Sequence, residues 1–128
     1  MADRQRIVVA DSDPRRRRTM STLLRLGGYA VLEAERLSDI PKVAREGLEL
    51  LLTEAVLVDG DGVAYAARIR KNAPTASLPI LVATLDRGAE NRVREALGRD
   101  AYLALPVRPS ELLGRIAGLI GQRSPARR

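Results

Sequence analysis

Cysteine, histidine, phenylalanine and tryptophan are all missing from the 128 residues. Without cysteine there is no disulfide and no thiol nucleophile. Without histidine there is no imidazole general base, no Ser-His-Asp triad and none of the common zinc sites. Any metal must then be a hard cation held by oxygen. Three tyrosines are the whole aromatic complement, so the stacking platform of single-strand nucleic-acid binders is missing too. Apolar runs such as Ile80 to Ala83 fall far short of the roughly 20 residues of a membrane helix, and no charged-then-apolar leader opens the chain. These absences lead us to expect a soluble, cytoplasmic chain with no membrane partner.

The chain is long enough to close one hydrophobic core and no second module is expected. A net charge of +6 and a pI of about 10.7 would suit an acidic partner such as nucleic acid. Arginine, however, supplies 20 of the 22 basic residues and alanine is abundant, a bias that a GC-rich genome produces without selection for binding. A basic nucleic-acid module is therefore an alternative reading and not the favoured one.

Along the chain, strands and helices alternate. RIVVA (Arg6 to Ala10) reads as a buried strand, followed by a helix from Pro14 to Leu26 that stops at Gly27-Gly28. Tyr29 to Ala34 is a second strand candidate, and Ser38 to about Thr53 a second helix with Ser38 as its N-cap. A third strand is expected over Ala55 to Val58, ending on Asp59, with a helix from Gly62 to Lys71. PILVAT (Pro79 to Thr84) is a strand, Gly88 to Leu97 a helix, Ala101 to Ala104 a strand and Pro109 to Ile120 a helix. Apolar strands alternating with helices imply an α/β domain, a doubly wound parallel sheet covered on both faces, here over residues 1–121. Residues 122–128 read as a basic polar tail or the start of a linker.

In such sheets ligands sit beyond the carboxyl ends of the strands. Those ends carry Asp11 and Asp13, Asp59 and Asp61, then Thr84, then Leu105-Pro106. Several carboxylates in one cleft repel unless a cation relieves them, so either a divalent ion or an arginine is expected there.

These residues resemble the receiver domains of bacterial two-component response regulators, which have the flavodoxin-like fold with strand order 2-1-3-4-5. VVADSDP is similar to the acidic first-strand motif, VLVD to the third strand with its phosphate-accepting aspartate, PILVAT to the fourth strand with its hydroxyl, and DAYLALPV to the fifth. The resemblance runs from Ile7 to about Ile120. It implies Asp59 as phosphoacceptor, magnesium at Asp11, Asp13 and Asp59 beside an acidic pocket that includes Asp61, and Thr84 and Tyr102 as switch residues. It also implies a cis Leu105-Pro106 bond. An acyl phosphate needs cations on several sides, because the protein supplies little other chemistry.

Three departures touch that neutralisation. Ser12 stands where the resemblance has a second acid, Leu105 where it has a lysine, and the loop after Asp59 reads as several residues short. Leu105 makes no charged hydrogen bond to a phosphoryl group. The DGDG run is no calcium loop, since the twelfth position from Asp59 is Arg70 and not glutamate. Arg15 to Arg18 put four cations at a helix N-terminus, against the macrodipole. They form either a solvated face or a lid in which one or two arginines fold back over Asp11, Asp13 or Asp59 and replace both magnesium and lysine. The expectation is a pseudo-receiver that is not an enzyme, binds magnesium weakly or not at all, and works by contact with a protein partner in signalling. The resemblance also implies a homodimer face on the fourth helix, fifth strand and fifth helix, where Arg92, Arg94, Arg99 and Arg108 are interaction candidates. The alternative is a phosphorylatable receiver with Asp59 as acceptor.

Overall fold

The computed structural model describes residues 4–44 and 47–123; most of the expected tail, 124–128, lies outside the described residues. Five strands form one parallel sheet: β1 (Arg6–Ala10), β2 (Ala30–Ala34), β3 (Leu48–Thr53), β6 (Ile80–Thr84) and β7 (Tyr102–Ala104), in the order β2-β1-β3-β6-β7. Two short strands, β4 (Val56–Leu57) and β5 (Gly60–Asp61), pair antiparallel as a separate hairpin. With the hairpin set aside, the order is the expected 2-1-3-4-5.

The helices are α1 (Pro14–Leu26), α2 (Ile40–Val43), α3 (Gly62–Ile69), α4 (Glu90–Leu97) and α5 (Pro109–Arg123). Side chains on a strand alternate between faces, and this alternation makes two cores. Val8, Ala10, Leu51 and Val82 face the layer of α2, α3 and α4, against Ile40, Val63, Ala66 and Val93. Ile7, Val9, Leu50, Leu52 and Leu81 face α1 and α5, against Leu24, Leu112 and Ile116. Among the described residues no helix is long and apolar enough to cross a membrane.

The centre of the sheet departs from the sequence reading. The expected helix over Ser38 to Thr53 is a 3-10 turn at Leu37–Asp39 and a four-residue α2, and its second half is β3, the middle strand. The expected strand Ala55 to Val58 is not in the main sheet at all; it contributes β4 to the hairpin. Leu48, Leu50, Leu51 and Leu52 satisfy a helical and a strand period equally over so short a window. Tertiary burial decides: as a strand, Leu51 enters one core while Leu50 and Leu52 enter the other. Gly47, at φ +70°, breaks the chain just before it.

With β3 ending at Thr53, residues 54–61 separate it from α3 and the loop is not short, contrary to the expectation. Gly62 closes that loop. Its amide donates to Ala55 O at 2.8 Å, and a Cβ there would lie 2.2 Å from Glu54 O. Only glycine permits this approach.

Candidate functional site

Two chain segments leave the sheet side by side. Ala10 of β1 pairs with Thr53 of β3, so the next residues, Asp11 and Glu54, begin the rim of the cleft together. Both are buried, at 3% and 9% exposure. Glu54 therefore occupies the strand-end position that the sequence reading gave to Asp59. The sequence pattern does not reveal it, because Leu48 to Thr53 fits a helical period as well as a strand and Ala55 to Val58 looks like the strand that should end at the rim.

The cation over this pair is Arg16. Its Nε and Nη2 donate to the two oxygens of Asp11 at 2.5 and 2.9 Å, a fork that fits a carboxylate. Nη2 also lies 3.2 Å from Glu54 Oε2, and Nη1 lies 3.6 Å from Asp13 Oδ2. The hydrogen bond to Asp11, opposed in part by burial, raises the guanidinium above its usual range. Glu54 Oε1 accepts the Ala55 amide at 2.6 Å, so both glutamate oxygens are engaged. Arg17 turns inward as well, with Nη1 donating to Asp11 O at 2.8 Å and Nε to Glu33 at 3.0 Å. Arg15 and Arg18 remain exposed.

The other acids have separate tasks. Asp13 is exposed and caps α1, accepting from the amides of Arg15 and Arg16 at 2.9 and 3.2 Å. Asp61 caps α3 through the Val63 and Ala64 amides and pairs with Arg92 at 2.7 Å. Asp59 lies at the turn of the hairpin and accepts from the amides of Leu37 and Ser38 at 2.8 and 3.1 Å. Asp11, Asp13 and Asp59 are thus not gathered as a magnesium site, and among the described residues no group of three acids could hold a metal. An extended run Asp11-Ser12-Asp13 would have shared the cleft, but α1 begins at Pro14 and takes Asp13 as its cap.

Ser12 ties two loops together, donating to Glu35 O at 2.6 Å and accepting from the Val58 amide at 2.8 Å. Thr84 is buried and accepts from the Asp86 amide at 3.0 Å, while the buried Tyr102 donates its hydroxyl to Asp86 O at 3.2 Å. The loop after β6 is therefore held from both sides. Leu105 is buried, the Leu105-Pro106 bond is cis, and the Leu105 amide donates to Thr84 O. Of the four interaction candidates, Arg92 pairs with Asp61 and Arg94 with Glu90 at 2.7 Å; Arg99 and Arg108 are exposed.

The Leu37 amide holds the Asp59 carboxyl below its ordinary 3.8, opposed by desolvation and helped by Ser38. The Arg16 amide does the same for Asp13. A carboxyl lowered in the folded state contributes its full stabilisation above the unfolded value, and that contribution is lost as pH falls through the folded one. Stability should thus hold between about pH 5 and 7 and decline below about pH 4. Asp59→Asn should lower stability at neutral pH and flatten the acid decline, measured by urea unfolding across that range. An acid decline identical in the variant would show that the Leu37 and Ser38 amides do not hold this charge.

The fold has relatives. The family model described as "Response regulator receiver domain" matches residues 7–117. The transcriptional regulatory protein GltR of Pseudomonas aeruginosa is 31% identical over 93% of this chain and 50% of its own length. ResD of Bacillus subtilis, another transcriptional regulatory protein, is 31% identical over 93% of this chain and 49% of its own. The chain thus spans about half the length of these curated relatives. A putative response regulator from Chloroflexus aurantiacus superposes with TM-score 0.80 at 30% identity, over 93% of this chain and 99% of that one. A CheY-like receiver domain protein from Methanospirillum hungatei gives 0.82 at 26%, over 97% and 99%. With the family model covering most of the sequence and the strand order in agreement, this chain belongs to the response regulator receiver domain family of two-component signalling.

Proposed function

We propose that this receiver signals through protein contact without aspartyl phosphorylation, as a pseudo-receiver whose phosphoacceptor position is filled by Glu54 and whose cation is Arg16. The observation that carries this reading is the Arg16 guanidinium seated between Asp11 and Glu54. Phosphoryl transfer to a carboxylate needs a free oxygen and cations around the incoming group. Here both Glu54 oxygens are occupied, Leu105 brings no charge, and Ser12 is engaged with the loops. A glutamate also carries its charge one methylene farther out than an aspartate, and Arg16 meets it there. Both Thr84 and Tyr102 hold Asp86, which favours one fixed arrangement of the switch loop.

A protein partner suits this reading better than nucleic acid, because Arg16, Arg17, Arg92 and Arg94 are already committed to ion pairs. The test is incubation with acetyl phosphate and excess magnesium, followed by intact mass. No adduct is expected. An adduct lost in Asp59→Asn would establish the phosphorylatable alternative, and one lost only in Glu54→Gln would move the acceptor to Glu54.

A further inference from the structure

A carboxylate stands on the core side of the sheet edge. β2 is the edge strand, and its Glu33 pairs in register with Val9 of β1. Val9 and Val31 both pack into the core beneath α1 and α5, so Glu33, at the next inward position after Val31, points to the same side. The strand pattern calls for an apolar residue there. An inward charge on an edge strand discourages pairing with other chains, but that role asks for no particular partner.

Glu33 has definite partners. Its Oε1 accepts from Arg17 Nε at 3.0 Å, and its Oε2 lies 3.6 Å from Arg25 Nη2. One carboxylate thus ties the first and last turns of α1 to the sheet edge. Arg17, its side chain only 17% exposed, then reaches on to the rim, where Nη1 donates to Asp11 O at 2.8 Å. Arg16 holds the carboxylate of that same residue, so two neighbouring arginines grip Asp11 by its carbonyl and its side chain. Arg16 gives up rotamer freedom to stay inside, and it stands among three other cations at the positive end of the helix dipole. Both costs favour its swinging out to water, and the Arg17 contacts oppose that.

We infer that Arg17 and Glu33 are positioning residues for the Arg16 cation: Glu33 orients Arg17, and Arg17 holds the Asp11 backbone where the Arg16 fork meets both carboxylate oxygens. The inference rests on the reading of Arg16 as the cation of the rim. Intact mass after acetyl phosphate tests that reading, whereas the positioning is read from Arg16 itself.

The readout is hydrogen exchange of the Arg16 Nε–H, followed by NMR on the whole chain at neutral pH and identified by its loss in Arg16→Met. Arg17→Met and Glu33→Gln should each speed this exchange about tenfold more than they speed the backbone amide of Val9 in the adjoining core. Arg25→Gln removes the other arginine from Glu33 and should speed the two alike. A merely structural pair would loosen the helix and the core together. Equal acceleration at Arg16 and Val9 in the first two variants, or selective acceleration at Arg16 in Arg25→Gln, would therefore overturn the inference. If Arg17→Met does not fold, Glu33→Gln decides alone, since its amide still accepts a hydrogen bond from Arg17 and only the charge is lost.

Discussion

Replacing Arg16 with methionine should lower stability by roughly 2–4 kcal/mol, a fall in melting temperature of the order of 10 °C. Methionine keeps most of the apolar stem, so the change isolates the guanidinium. What it leaves behind are the side chains of Asp11 and Glu54, 4% and 10% exposed, facing each other without a cation. Breaking a buried pair from one side typically costs about 3–5 kcal/mol; the lower range applies because the Arg16 side chain is 25% exposed. Arg18→Met, on the exposed side of the same helix, should stay within about 0.5 kcal/mol of the parent. Equal melting temperatures for Arg16→Met and the parent would mean that the acids find other relief.

The second large effect is a gain. A chain carrying Ser12→Asp, Glu54→Asp, Leu105→Lys and Arg16→Ala should accept one phosphoryl group from acetyl phosphate in magnesium, where the parent is expected to accept none. Each change answers one observed obstacle. Glu54→Asp shortens the side chain and should free it from the Ala55 amide, and Ser12→Asp adds a second acid next to Asp11. Leu105→Lys supplies the charge that leucine lacks, and Arg16→Ala vacates the cation position. Catalysis here is charge neutralisation and positioning, so restoring the charges should restore transfer. Intact mass reads the result. The other three changes combined with the original Glu54 should show no adduct, and an adduct there would mean that side-chain length at this position does not matter.

Much of the fold was legible because certain residues act locally. RIVVA followed by Asp13 and Pro14 gives β1 and α1 with a cap, and Leu112, Ile116 and Ile120 mark the buried stripe of α5. The centre was not. Leu48 to Leu52 has no period of its own to choose between helix and strand, and the choice belongs to the two cores that only the folded sheet creates. Gly47 and the run of three leucines were the available signals. Reading Leu48 to Thr53 as helix shifts the strand-end position from Glu54 to Asp59 and makes the loop before α3 look short.

The arginine run shows a different limit. The sequence places four cations at the start of a helix, and electrostatics requires some cation in the cleft. At about 100° per residue, adjacent positions cannot all face the sheet: Arg16 and Arg17 turn toward Asp11, and Arg15 and Arg18 toward solvent. Which pair turns inward depends on where β1 ends relative to α1, a property of the assembled fold.

In the proposed reading Arg16 and Glu54 act as one unit, standing where metal and phosphate would be. A double-mutant cycle of Arg16→Met and Glu54→Gln, by urea unfolding at neutral pH, tests it most directly. A coupling of about 1–3 kcal/mol is expected, with Glu54→Gln recovering part of the stability lost in Arg16→Met. Additive losses, within about 0.5 kcal/mol, would show that the two side chains act independently.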